Sequence, residues 1–119
     1  MLTYFRTTGA VLSAVALAAV TTLLATAVEA ETYDILILDE GYFPDITYVA
    51  AGDTLVFYNE SVIPHTVVAK NSSWATPELA PGQSISLEVT QGMQNTFGSV
   101  DINGFVMEAY LNFNGTPGN

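Results

Sequence analysis

One histidine, three methionines, twelve carboxylates and no cysteine are the groups this 119-residue sequence offers for chemistry. His65 lies in Ile63-Pro64-His65-Thr66-Val67, with Asp101 and Met107 further along. Ser61, Asp101 and His65 have the side chains of a nucleophile, an acid and a base, but no G-x-S-x-G elbow accompanies them, so hydrolysis is not expected. A pair of glycosidase-type carboxylates would need a cleft for which so short a chain has little room. The absence of cysteine removes disulfide frameworks, zinc ribbons, thiol nucleophiles and iron–sulfur ligation. Gly41, Gly52, Gly82 and Gly92 sit between extended segments, not at a strand-to-helix junction, so no phosphate loop is present. Arg6 and Lys70 are the only fixed cations against a net charge of −10. Phosphate backbones need several neutralising cations, which argues against nucleic acid as a partner. The chain reads as a protein that is not an enzyme.

The segments that must position these groups begin after an apolar leader. Arg6 is followed by an uncharged run from Gly9 to Val28, and then by two small-residue patterns, Ala25-Thr26-Ala27 and Val28-Glu29-Ala30. Residues 1–30 are expected to be a cleaved secretory signal. The alternative is an uncleaved anchor, because the run reaches the ~18 residues of a short span. Either way residues 31–119 form one exported domain, periplasmic or secreted, in contact with a membrane only if the leader stays. Lys70 is its sole cation, and such a charge keeps it soluble and steers it towards basic partners.

Within that domain apolar residues alternate with period two and turn residues interrupt them every 8 to 12 positions or so, the pattern of a β-sandwich or barrel. Strands are expected over Tyr33–Leu38, Asp45–Val49, Thr54–Asn59, Thr66–Ala69, Ser84–Val89, Thr96–Val100 and Val106–Phe113. Thr54–Asn59 has apolar side chains on both faces and should lie centrally. Ile85, Leu87 and Val89 should face inward, as should Met107, Ala109, Leu111 and Phe113. Residues 71–82 read as a loop, and Trp74 and Tyr42 as packing residues.

The stretch DITYVAAGDTLVFYN (45–59), then PHTV (64–67), then LAPGQS (79–84), resembles the small blue-copper cupredoxins of the plastocyanin, pseudoazurin and amicyanin kind. The resemblance covers nearly all of residues 33–113. It implies an all-β, Greek-key β-sandwich with a copper site at one end, and it makes His65 the first ligand. The other ligands of that family come from a C-terminal loop reading Cys-x-x-His-x-x-Met. Aligned on Met107, Asp101 stands where the Cys belongs and Gly104 where the second His belongs. A blue-copper centre needs two imidazoles and a thiolate, so a monomer of this chain cannot build one.

Two functions remain open. One is a binding or interaction module with a degenerate type 1 site, needing no cofactor. Its docking end would carry Pro64, Ile102 and Phe105, with Ile63 and Val106, and its partner would be an exported protein, a basic one being favoured by the acidic charge. The other is a weak or non-blue copper site built from His65, Met107 and Asp101, serving copper handling or electron transfer. Against any metal role, His65 could simply cap the end of the sandwich and Met107 could be a core methionine.

Overall fold

The computed structural model describes residues 29–115, so nearly all of the expected leader lies outside the described residues. Eight strands follow: β1 Thr32–Ile37, β2 Tyr42–Phe43, β3 Ile46–Tyr48, β4 Thr54–Asn59, β5 Val68–Ala69, β6 Ser84–Glu88, β7 Thr96–Asp101 and β8 Gly104–Asn112. They form two four-stranded sheets, ordered β2-β1-β4-β6 and β3-β8-β7-β5. The β1–β4 and β3–β8 pairs are parallel and the remaining pairs antiparallel. The expected all-β sandwich is what the chain adopts, and among the described residues no helix is long and apolar enough to cross a membrane.

β4 shows why the pattern reads so directly. Leu55, Phe57 and Asn59 are buried on one face, while Val56 and Tyr58 are half-buried on the other. The strand runs between β1 and β6, so both its edges are hydrogen-bonded and its apolar residues find cover on both sides. β6 alternates as expected, with Ser84, Ser86 and Glu88 exposed, Ile85 and Leu87 half-buried, and Val89 beyond it buried.

Between the sheets Phe97 is the hub. The rings of Tyr42 and Phe57 meet it edge-on at centroid distances of 5.1 and 5.7 Å, and Trp74 lies against it at 5.9 Å. Trp74 is held there by its indole N–H, which donates to the Gln94 carbonyl at 3.0 Å. Phe57 and Phe97 are fully buried, each stabilising the fold by about 1.5–3 kcal/mol through area removed from water.

The structure departs from the sequence-based expectation in four places, the first being β5, which is only Val68–Ala69 where Thr66–Ala69 was expected. Tyr42–Phe43 forms a short extra strand against β1. β8 begins at Gly104, earlier than expected. Its alternation then breaks at a bulge, where Phe97 pairs Ala109 but Ser99 pairs Val106. Ala109 and Leu111 face the core as expected, and Met107, although it sits in the bulge with φ 59°, packs half-buried against it, whereas Phe113 is 38% exposed.

At the end of the sandwich where β1 starts, the turn before β4 is tied by Asp53. This buried carboxylate accepts the Ala50 N–H at 2.8 Å and the Glu31 N–H at 2.9 Å.

Candidate functional site

His65 is delivered by the segment that follows β4. Asn59, the last residue of β4, is fully buried, and its Nδ2 donates to the carbonyls of Ile63 at 2.9 Å and Leu79 at 2.8 Å. Its Oδ1 accepts from the Ser61 amide at 2.9 Å and hydroxyl at 2.7 Å. One amide side chain thus folds residues 59–63 around itself and ties them to the 71–82 loop. His65 is then clamped to that loop by two backbone bonds, its N–H to the Leu79 carbonyl at 2.9 Å and the Leu79 N–H to its carbonyl at 2.7 Å. Ser61 is therefore engaged with Asn59 and Ile63, which removes it as a nucleophile partner of His65.

The side chain that meets the imidazole is Ser99. Its Oγ lies 3.4 Å from His65 Nδ1 and 2.7 Å from the Tyr42 hydroxyl, all three groups being buried. Burial pushes the Tyr42 hydroxyl up to about 12, the hydrogen bond with Ser99 lowering it only in part. A neutral imidazole has one donor and one acceptor nitrogen. Tyr42 and Ser99 can therefore donate in sequence to Nδ1, or the imidazole can donate to Ser99 and Ser99 to Tyr42. In both arrangements His65 Nε2 is buried with no partner. Ser99 was not singled out in the sequence, although period-two alternation from the core residue Phe97 puts it on the inward face.

The β7–β8 hairpin builds the other wall. Asp101 pairs with Gly104, so only Ile102 and Asn103 form the turn, and Gly104 takes φ 105°, a conformation that suits glycine. Asp101 shares the parity of Phe97 and Ser99 but lies beyond the end of the core. It is exposed, and its carboxylate accepts the Asn103 N–H at 2.7 Å. Ile102 at the tip is fully exposed. Phe105 is half-buried, because its ring covers Gly98. A Cβ there would stand 2.5 Å from the Val106 carbonyl oxygen and 2.8 Å from Phe105 Cζ.

His65, Ser99, Asp101 and Met107 line one cleft of about 180 Å³ together with Pro64 and Val106. Asp39 and Glu78 add two further carboxylates to its wall. Around it Val62, Ile63 and Val100 are 79%, 53% and 60% exposed.

A type 1 copper ion does not fit these donors. The side chain facing the imidazole is a hydroxyl, the chain has no thiol and no second histidine, and the carboxylate of Asp101 is already engaged in its turn. Among the described residues no group of three or more histidine, cysteine or acidic side chains is arranged to hold a metal.

No protein-family model matches the chain, and no curated protein matches it in sequence. Solved structures match it in fold. A Cu-containing nitrite reductase from Thermus scotoductus SA-01 superposes with a TM-score of 0.60 at 17% identity over 79% of this chain, which spans only 25% of that protein's length. Auracyanin from the photosynthetic bacterium Roseiflexus castenholzii gives 0.54 at 17% identity, over 71% of this chain and 97% of its own. An oxidised amicyanin variant gives 0.55 at 22% identity, over 76% of this chain and 87% of its own. The fold is that of the cupredoxins.

Proposed function

We propose that residues 31–119 are an exported cupredoxin-fold domain that binds a protein partner through its His65 end and is neither an enzyme nor a blue-copper electron carrier. The observation that carries this reading is the Ser99 hydroxyl facing the chain's only imidazole, in a chain without any thiol. Fast electron transfer at a blue centre depends on copper–thiolate covalency, which a hydroxyl does not supply. The exposed apolar residues Val62, Ile63, Val100 and Ile102 at the same end, beside Asp39, Glu78 and Asp101, suit a partner that is both apolar and basic. Metal analysis and a visible spectrum of the exported protein test the first half: stoichiometric copper with an intense blue band overturns it. For the second half, Ile63→Asp and Ile102→Asp alter only exposed side chains and are expected to abolish capture of a partner from the exported compartment; unchanged capture refutes docking at this end.

A second reading, weak non-blue copper binding in copper handling, is favoured by one observation. His65 Nε2 is buried without a partner, in a residue that shares its cleft with the thioether of Met107. Soft thioether and imidazole donors suit Cu(I) better than hard cations. Titration with Cu(I) and with a His65→Ala variant decides it, equal affinities ruling it out.

A further inference from the structure

At the end of the sandwich remote from His65, the Asp53 carboxylate is buried at 4% exposure and receives only backbone amides, those of Glu31 and Ala50. The one ion pair among the described residues, Lys70 with Glu108, lies elsewhere. A buried carboxylate that meets only neutral donors gains from a cation. Residue 31 is pinned twice, since its carbonyl also accepts the Thr54 N–H at 2.8 Å, whereas Glu29 and Ala30 are exposed and belong to no strand. Ala30 closes one of the two small-residue patterns that end the leader.

We propose that the export peptidase cuts between Ala30 and Glu31, and that the α-ammonium created there becomes the cation of the buried Asp53 carboxylate, fastening the start of β1 to the 50–53 turn. The inference rests on the export reading. In the cut, water adds across the Ala30–Glu31 amide. Ala30 leaves with the new carboxylate, and Glu31 keeps the nitrogen, which takes up a proton at neutral pH. That nitrogen need not move. The atom that donates to Asp53 Oδ1 at 2.9 Å as an amide donates from the same place as an ammonium, and a charge-assisted bond is roughly twice as strong as a neutral one. Cleavage after Ala27 would leave Val28, Glu29 and Ala30 in front, and residue 31 would stay an amide.

The ionisable groups around that nitrogen are the carboxylates of Asp53, Glu29 and Glu31 and the phenols of Tyr33 and Tyr48, which line one hollow of about 430 Å³; cleavage removes Glu29. No cation faces it, so the amine pKa rises above its ordinary range of about 7.7–8.0. The stability gained is complete below that range and is lost as pH climbs through the raised value.

The test expresses the full chain in an exporting host and measures the intact mass of the exported protein. A start at Glu31 is expected. A start at Val28 overturns the assignment while leaving export standing, and a retained, uncut chain overturns the proposal together with the export reading. The Glu31-start protein should then melt roughly 5 °C above a form retaining Val28-Glu29-Ala30, a gap that disappears in Asp53→Asn. Equal melting of the first two forms refutes the pairing. Should Asp53→Asn not fold, the pH dependence of α-amine labelling in the wild-type protein decides, an ordinary or lowered amine pKa counting against it.

Discussion

Asn59 and His65 sit at the same end of one sandwich, both with little exposure, and their polar atoms are treated in opposite ways. Asn59 has its donor and acceptor atoms each used twice, at 2.7–2.9 Å. His65 has one long contact of 3.4 Å on Nδ1 and none on Nε2. A buried polar group left unpaired costs stability, so a fully satisfied one marks scaffold and a half-satisfied one marks a position kept for something other than stability. The contrast separates the residue that shapes the loop from the residue the loop presents.

The largest effect expected from breaking this contrast is at Asn59. Asn59→Leu leaves the Ser61 amide without its partner and takes one of two donors from each of the Ile63 and Leu79 carbonyls, which keep the Ser61 hydroxyl and the His65 N–H, at a cost of about 3–5 kcal/mol, enough to unfold much of a small domain in urea titrations. A loss below about 1 kcal/mol would mean that the loop is held by something else. Gly98→Ala comes next, since its Cβ would collide with the Val106 backbone and the Phe105 ring. A loss of about 2–3 kcal/mol is expected, and Phe105→Ala in the same chain should recover part of it, the share set by the ring and not by the carbonyl.

Tyr42→Phe sharpens the comparison from the His65 side. At neutral pH it should cost about 1 kcal/mol, the worth of one hydrogen bond. The Tyr42 pKa is raised by burial, so its contribution is present below the ordinary tyrosine value and is lost as pH rises towards about 12. Wild type should therefore lose stability between about pH 10 and 12 while Tyr42→Phe loses less, as read by urea midpoints across that range. His65→Leu should change stability by less than about 1 kcal/mol in either direction, since removing a half-satisfied imidazole relieves Nε2 while filling the same space. A loss near that of Asn59→Leu would make His65 scaffold as well. The smallest effect is on the outer face of β8. Lys70→Met should leave the melting temperature within error, because exposed pairs are screened. Glu108, held below the usual carboxylate range first by the Tyr110 hydroxyl and then by Lys70, should titrate somewhat higher by NMR without reaching its ordinary value.

How much of this was legible in the sequence depends on whether local alternation decides the outcome. β4 and β6 are legible because each is a run of five or six residues whose alternation matches the faces it meets. β2 is not, since two residues between Gly41 and Pro44 carry no periodicity, and only pairing with β1 makes them a strand. At the site, His65 follows from its motif, but counting back from Met107 through a loop points to Asp101 as its partner. In place of that loop stands a hairpin with a bulge at Met107. The bulge shifts the register of β8 against β7, so a count back from Met107 does not find Ser99, which alternation with Phe97 brings to the imidazole, while Asp101 stands at the rim. Alternation outward from Phe97 was the signal that could have found Ser99. Asn59 was legible as the end of a strand, but its bonds to Ile63 and Leu79 join backbone groups that no pattern in the sequence marks.

Asn59, Glu60 and Ser61 also spell an acceptor sequence for N-linked sugar, and the atom such a transfer would modify is the Nδ2 that holds the Ile63 and Leu79 carbonyls. Transfer to the nascent chain would place a bulky polyol on a side chain that the folded domain buries completely. In a eukaryotic secretory host the oligosaccharide and the native fold therefore exclude one another at this residue. Material made there is expected to divide into a folded fraction unmodified at Asn59 and a misfolded one glycosylated at it, whereas a host without N-linked transfer has no such branch.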